Sequence, residues 1–247
     1  MATFEVHPSW REVLGRVLLD ASQLGAEAVV AFDLDSTLLD NRPRQAALVH
    51  RFLRQRGAAP MLANFEARHL HTGFDLREAL GRQGLAPLEV EQFLVEFRPF
   101  WRAHFFTSDA CQLDVPVRGA PEYVRRTSAT GARVAYVTAR PELMRVGTLE
   151  VLSRYRFPLP GPGVQLWMKP DESTTDDQFK RSTHRRLAEW GRVVAAFDNE
   201  AAHANDYRAS FPEATVVLLA TGDSGRVSVL ADAIVPAPHF DVGANED

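Results

Sequence analysis

Three of the short apolar runs in the sequence end in polar side chains that could do chemistry. These side chains are Asp33 and Asp35 after the first run, Thr138 and Arg140 after the second, and Asp198 and Asn199 after the fourth. An apolar strand end needs no carboxylate or hydroxyl group in order to fold. Ligands of open α/β sheets bind beyond the carboxyl ends of the strands, so a site is expected at these positions.

Asp33 and Asp35 are the most informative pair. Two partly desolvated carboxylates two residues apart repel one another, and a hard cation removes that penalty. Asp198 would supply a further oxygen, and an all-oxygen site with few carboxylates and room for water suits Mg²⁺. Beside a metal-bound phosphate, one carboxylate can act as a nucleophile and a second can move protons. Thr138 and a lysine would hold the phosphoryl oxygens.

The apolar runs predict the strands that position these residues. Each run is continuous and too short for a helix, as is typical of strands buried on both faces of a parallel sheet. The runs are 28–32, 134–137, 164–168, 193–197 and 216–219, with a weaker one at 233–235. Helical patterns alternate with them, at 121–127, 142–155 and 175–190. The alternation predicts a doubly wound, mostly parallel, Rossmann-like α/β sheet.

The segment 41–111 interrupts the alternation. It contains no convincing strand and four helical stripes. One of these stripes is formed by Leu62, Phe65 and His69, and another is expected to end or kink at Pro99. A connection of this length indicates a separate substructure rather than a loop. We therefore expect a catalytic core formed by residues 1–40 and 112–247, with 41–111 inserted as a small helical cap.

The pattern resembles the haloacid dehalogenase superfamily of phosphatases, which places a helical type-1 cap after its first motif. That motif, Asp-x-Asp-x-Thr after an apolar strand, appears as Asp33, Asp35 and Thr37. The resemblance implies that Asp33 is the nucleophile and Asp35 the general acid and base. It also implies that the backbone carbonyl of Asp35 binds Mg²⁺.

The other three motifs of the superfamily follow in order. Thr138 matches the second motif, Lys180 the third and Asp198 the fourth. Lys169 is the alternative to Lys180, which is preferred because it lies just inside a capped helix. The candidate substrate contacts are thus Thr37, Thr138, Arg140 and Lys180, and the candidate metal contacts are Asp33, Asp35, Asp198 and Asn199.

The fourth motif departs from the superfamily pattern. A second acid often follows the first, but here Asn199 is adjacent to Asp198 and Glu200 comes next. The second contributor to the metal shell is therefore open between Asn199 and Glu200. Asn199 can hydrogen-bond to a metal-bound water.

The composition argues against some classes of binding partner. The 247 residues are 45% hydrophobic and 24% charged, with a net charge of −4, which argues against nucleic acid or an anionic membrane as a partner. The single cysteine, Cys111, excludes an intramolecular disulfide and suits a reducing compartment. No signal-peptide pattern or bilayer-length apolar run is present, so a cytoplasmic location is expected.

These observations predict a Mg²⁺-dependent phosphomonoester hydrolase that acts on a small phosphorylated metabolite through an aspartyl-phosphate. A phosphoryl-transfer mutase and a binding or regulatory protein on a degenerate phosphatase fold remain alternatives. Dehalogenation needs neither a metal nor an acid at position 35, so Asp35 and Asp198 argue against it. The substrate-pocket candidates within 41–111 are His69, His71, Asp75, Arg77, Trp101 and His104.

Overall fold

The predicted apolar runs form the strands of one six-stranded parallel sheet. The computed structural model describes residues 4–72, 75–171, 173–226 and 228–243. Its strands are β1 (Ala28–Phe32), β2 (Leu39–Asp40), β3 (Val115–Pro116), β4 (Arg133–Pro141), β5 (Val164–Lys169), β6 (Arg192–Asp198), β7 (Thr215–Leu219) and β8 (Val235–Ala237). All except β2 and β3 belong to the sheet, in the order β5-β4-β1-β6-β7-β8 with every neighbour parallel. The predicted fold class is confirmed.

Helices cover both faces of the sheet and also form the insertion between β2 and β3. They are α1 (Trp10–Leu24), α2 (Arg42–Gln55), α3 (Leu76–Arg82), α4 (Pro87–Phe105), α5 (Ser108–Cys111), α6 (Ala120–Ala129), α7 (Arg145–Arg154), α8 (Asp176–Trp190) and α9 (Ala201–Ser210). The start of α8 is a capping box, in which Thr175 and Gln178 each accept the backbone N–H of the other at 3.2 Å. Within the described residues, no helix is long and apolar enough to cross a bilayer.

Strand β1 lies at the centre of the core and is fully buried. Its side chains alternate between two apolar layers: Val30 and Phe32 pack in the layer with α1, α6 and α7, whereas Val29 and Ala31 pack in the layer with α8 and α9. Phe32 stacks on Phe197 of β6 with 4.7 Å between ring centroids. Because both faces are covered, the strand is apolar at every position.

The helices α2 to α5 lie between β2 and β3, which pair antiparallel where the segment leaves and rejoins the core. Residues of α2, α3 and α4 form a third apolar cluster, which includes Phe52, Phe93 and Phe97, whereas Cys111 of α5 packs in the layer with α1. Position 41 precedes α2 directly and Cys111 ends α5, close to the predicted limits of the cap. The division into two domains remains a prediction.

One expectation within the insertion was wrong, and a second is corrected in part. The stripe at 62–69 forms two separate 3₁₀ turns, Ala59–Leu62 and Ala67–His69, rather than one helix. Helix α4 does not end at Pro99 but continues to Phe105, and the alternative of a kink at Pro99 stays a prediction. A proline inside a helix removes one backbone hydrogen bond, and the burial of Phe97 and Phe105 on either side outweighs that loss.

The contact of α7 with α5 depends on a glycine. A Cβ at Gly147 would overlap with the carbonyl oxygen of Ser108 and would lie 2.5 Å from its Cα. We expect Gly147→Ala to lower the free energy of unfolding by about 1–3 kcal/mol, because backbone has to move. Gly15→Ala in α1, where a Cβ meets open space, should raise it by about 0.5–1 kcal/mol. Urea titrations followed by circular dichroism measure both changes, and a stabilised Gly147→Ala would contradict this packing.

Candidate active site

The polar ends of β1, β4 and β6 come together at one edge of the sheet. These strands are neighbours, and β1 is the point from which the strand order runs in opposite directions. A cavity of about 620 Å³ opens there, with Asp33, Thr138 and Lys180 among its lining residues. This is the switch-point location at which open α/β sheets bind ligands.

Lys180 joins the ends of β1 and β6. Its ammonium group donates to Asp33 Oδ1 at 2.8 Å and to Asp198 Oδ2 at 2.6 Å. All three side chains are almost completely buried. Burial lowers the pKa of Lys180, but the Asp198 and Asp33 carboxylates outweigh it, so the net shift of this pKa is upward and the ammonium stays charged. The capped first turns of α8 hold this cation in place.

The floor of the cavity carries more negative charge than Lys180 can balance. Burial raises the pKa of Asp33 to about 7, and the carboxylates of Asp198 and Asp35 add to the rise against the opposing effect of Lys180. The backbone N–H of Asp33 donates to Phe197 O at 2.9 Å, which ties the end of β1 to β6. A second cation beside Asp33 would therefore be stabilising.

The donors near Asp33 fit a magnesium ion better than a softer metal. Asp33 and Asp198 offer carboxylate oxygens within reach of the same ammonium group. In the described part of the chain, no three Asp, Glu, His or Cys side chains are grouped as a complete metal site. A metal here would need backbone carbonyl, water or phosphate oxygens as well, and Mg²⁺ is typically bound by one or two carboxylates with such ligands.

Arg140 binds Asp35 through two hydrogen bonds. Its Nε donates to Asp35 Oδ2 at 2.7 Å and its Nη2 to Asp35 Oδ1 at 2.8 Å. The remaining N–H groups meet Asp114, the hydroxyl of Thr148 and the sulfur of Cys111. All five donors of the guanidinium therefore meet acceptors within the described chain. Arg140 lines the cavity with its guanidinium directed at Asp35, and its expected contact with substrate remains a prediction.

Asp35, Arg140, Asp114 and Arg44 form one group of alternating charges, which we call the buried charge cluster. Arg44 reaches from α2 to Asp114 with two hydrogen bonds and lies 3.5 Å from Asp35. Arg44 and Asp114 have no exposed side-chain surface, and Arg44 also covers the ring of Phe105. Burial would raise the pKa of Asp35, but Arg140 and Arg44 hold that pKa well below its usual range.

Asn199 connects the first motif to a loop after β7. Its Oδ1 accepts from the hydroxyl of Thr37 at 3.3 Å, and its Nδ2 donates to Gly222 O at 2.7 Å. Thr37 is fully buried and does not line the cavity, so the structure does not bring this predicted substrate contact to the site. Glu200 turns to the same loop, where Ser224 donates to both of its carboxylate oxygens. The assignment of Asn199 or Glu200 to the metal shell remains a prediction.

The sequence reasoning missed Arg44, Asp114 and His203. His203 on α9 donates from Nε2 to Asp177 Oδ1 at 2.8 Å, and its other ring nitrogen lies 3.5 Å from Asp198. Burial and Lys180 lower the pKa of His203, but the two carboxylates outweigh them and the net shift is upward. Arg44 lies in an arginine-rich stretch that is typical of an exposed helix, and Asp114 follows no apolar run. The part that Arg44 and Asp114 play in the site is therefore seen only from their contacts in the structure.

The other candidates are placed as follows. Lys169 lies on the cavity wall but pairs with Asp176 at 2.7 Å, so Lys180 alone of the two lysines contacts Asp33. Trp101 lines the cavity. The remaining candidates from the insertion, all outside the cavity lining, are His69, His71, Asp75, Arg77 and His104.

Solved structures share this fold. A protein from Clostridium difficile assigned as a phosphatase matches with a TM-score of 0.50 at 12% identity, covering 81% of this chain and 87% of its own. Protein Tyrosine Kinase A of Mycobacterium tuberculosis matches with a TM-score of 0.51 at 17% identity, covering 88% and 96%. A Bacteroides fragilis protein assigned as a haloacid dehalogenase-like hydrolase matches with a TM-score of 0.46 at 14% identity, covering 78% and 88%.

At identities of 12–17%, these matches show a similarity of fold. No protein-family model and no curated protein matches the sequence. At the level of the fold, the parallel, Rossmann-like α/β architecture expected from the sequence is confirmed.

Because of the buried charge cluster, the loss of one carboxylate inside it should lower the free energy of unfolding far more than the loss of one on the surface. Asp114→Asn leaves Arg44 and Arg140 short of a buried partner, so we expect the free energy of unfolding to fall by about 3–5 kcal/mol. Glu122→Gln removes a carboxylate from an exposed pair with Arg125 and should change it by less than about 0.5 kcal/mol. Chemical denaturation of both variants measures the difference, and equal midpoints would show that the cluster contributes no more than a surface pair.

Proposed function

We propose that this chain is a magnesium-dependent phosphomonoester hydrolase that works through an aspartyl-phosphate on Asp33. The arrangement of Asp33 and Lys180 at the floor of the cavity, with Asp198 bound to Lys180 outside the cavity lining, supports this most strongly, because it sets a buried carboxylate beside one fixed cation. The fold shared with a protein assigned as a phosphatase agrees with it. The cavity of about 620 Å³ suits a small phosphorylated metabolite.

In the first step, a carboxylate oxygen of Asp33 bonds to phosphorus while the bond from phosphorus to the alcohol oxygen breaks. Lys180 and Thr138 hold the phosphoryl oxygens. Thr138 Oγ1 accepts the backbone N–H of Arg140 at 3.2 Å, which leaves its own O–H free to donate. Bound Mg²⁺, held by Asp33, Asp198 and the carbonyl of Asp35, would offset the negative charge of the phosphoryl group.

Asp35 moves the protons in this proposal. Because Arg140 and Arg44 keep the resting Asp35 ionised, the proton that it passes to the leaving alcohol oxygen comes from the phosphate monoanion of the substrate. Asp35 then takes a proton from the water that attacks the phosphorylated Asp33. That second step releases inorganic phosphate and restores the Asp33 carboxylate. The two hydrogen bonds from Arg140 fix the orientation of the Asp35 carboxyl at the cavity wall. We therefore assign Arg140 to positioning Asp35.

The alternatives differ in where the phosphoryl group goes. A mutase would return it to a sugar phosphate, and a kinase, the activity named for one protein of the same fold, would pass it to another acceptor. A binding protein would hold Mg²⁺ and a phosphate analogue without turnover. Water as the acceptor is distinguished from all three by stoichiometric release of inorganic phosphate.

Asp33→Asn tests the nucleophile. We expect Mg²⁺-dependent release of phosphate from phenyl phosphate to fall by at least about 10³-fold, because an amide cannot form the aspartyl-phosphate. Chelation with EDTA should abolish the wild-type activity, and added Mg²⁺ should restore it. In the wild type, borohydride should trap the acyl phosphate at Asp33.

Asp206→Asn is the matched control, because Asp206 pairs with Arg181 outside the cavity lining. It should retain wild-type activity. Full activity of Asp33→Asn would disprove the proposed nucleophile, and activity that is indifferent to EDTA would disprove the role of the metal.

A further inference from the structure

The cavity has two chemically different walls. The floor is formed by the strand-end residues, among them Asp33 and Thr138. Trp101 and Phe105 of α4, with Phe106 directly after it, line another part of the cavity. We call these three residues the aromatic wall. The volume of about 620 Å³ is several times what a phosphate group fills, so the aromatic wall is available to the alcohol part of a substrate.

The aromatic wall is held rigidly. The Trp101 ring stacks on Phe105 with 4.6 Å between centroids and meets Phe106 edge-on at 5.3 Å. The indole N–H donates to Gln45 Oε1 at 2.6 Å, which fixes the orientation of the ring and satisfies its polar atom. Trp101 and Phe106 are only partly buried, so they still present ring surface. A fixed aromatic surface binds a planar ring by stacking.

The cations of the cavity wall are already neutralised. Each one within the described chain has a carboxylate partner, in the pairs Arg44–Asp114, Arg140–Asp35, Lys169–Asp176, Lys180–Asp33 and Arg226–Asp177. Asp176, Asp177 and Glu200 also line the cavity. A second anionic group on the substrate would therefore meet carboxylates rather than a free cation.

We propose that the alcohol part of the substrate carries a planar ring and no second anionic group, and that this ring binds against the aromatic wall while the phosphate lies at the strand ends. The proposal rests on the proposed function and adds a substrate class to it. Bisphosphates and phosphorylated carboxylic acids lie outside that class, because their second anionic group would have no Mg²⁺ beside it and would meet cations that already have a carboxylate partner. Aliphatic phosphates are expected to be poor substrates because they cannot stack on Trp101.

Three phosphate esters of primary alcohols test this class, because their leaving groups have similar intrinsic reactivity. They are 2-phenylethyl phosphate, butyl phosphate and the 4-carboxylated form of 2-phenylethyl phosphate. We expect kcat/KM for 2-phenylethyl phosphate to exceed that of butyl phosphate by about 10-fold, mostly through a lower KM. The kcat/KM of the 4-carboxylated ester should fall back to that of butyl phosphate or below it.

Trp101→Leu assigns the preference to the aromatic wall. It should lower kcat/KM for 2-phenylethyl phosphate by about 3–10-fold and that for butyl phosphate by less than about 2-fold. Trp190→Leu removes another partly buried indole, at the end of α8 and outside the cavity lining, and should leave the ratio of the two substrates unchanged. An equal loss on both substrates in Trp101→Leu, or no preference in the wild type, would overturn the proposal and leave the hydrolase intact.

A binding measurement separates this proposal from the proposed function. Calorimetric titration of the wild type with 2-phenylethylphosphonate and butylphosphonate, in the presence of Mg²⁺, reports the ring preference without turnover. Tighter binding of the ring compound, lost in Trp101→Leu, supports the aromatic wall even if no ester is hydrolysed, in which case only the proposed function fails. Equal affinity for the two phosphonates would overturn the proposal that the aromatic wall binds the ring.

Discussion

The buried charge cluster is the interaction on which the arrangement of the site depends. Its four side chains come from four places: the loop after β1, the end of β4, helix α2 and the segment before β3. A buried guanidinium without its carboxylate is strongly destabilising, so none of these segments can shift alone. The cluster therefore fixes the helical insertion to the same strand ends that carry Asp33 and Thr138, and it sets the direction in which Asp35 faces the cavity.

A second constraint concerns the sign of charge at the floor. Asp33 and Asp35 line the floor, Asp198 is buried next to it, and the cations nearest to these carboxylates are held in ion pairs. A phosphate dianion entering such a site meets repulsion unless a further positive charge accompanies it. Burial, more than these charges, raises the pKa of Asp33, so its ionised carboxylate also gains from a further cation nearby. This is the physical reason that a divalent cation belongs in the proposed mechanism, whereas Arg140 belongs to the protein framework.

Periodic and local features were predictable from the sequence, and contacts between distant side chains were not. The apolar run 28–32 implied a central strand, and the capping residues of α8 placed Lys180 inside a helix, where it reaches Asp33. Thr37 and Arg140 carry no signal of where their side chains point: Thr37 is directed into the protein, and Arg140 is directed at Asp35 on the cavity wall. Arg44 and Asp114 lie 70 positions apart and match no motif, so nothing local indicated that they pair.

The insertion encloses its own apolar cluster, and it leaves and rejoins the core through the short strands β2 and β3. The aromatic wall is therefore built on a different packing unit from the reactive carboxylate. Replacements among the rings of that unit can alter which alcohol is accepted while the floor beneath stays as it is. A change of substrate specificity would accordingly require a redesigned or transplanted insertion. Such an insertion would have to keep the arginine at position 44, which joins it to the buried charge cluster.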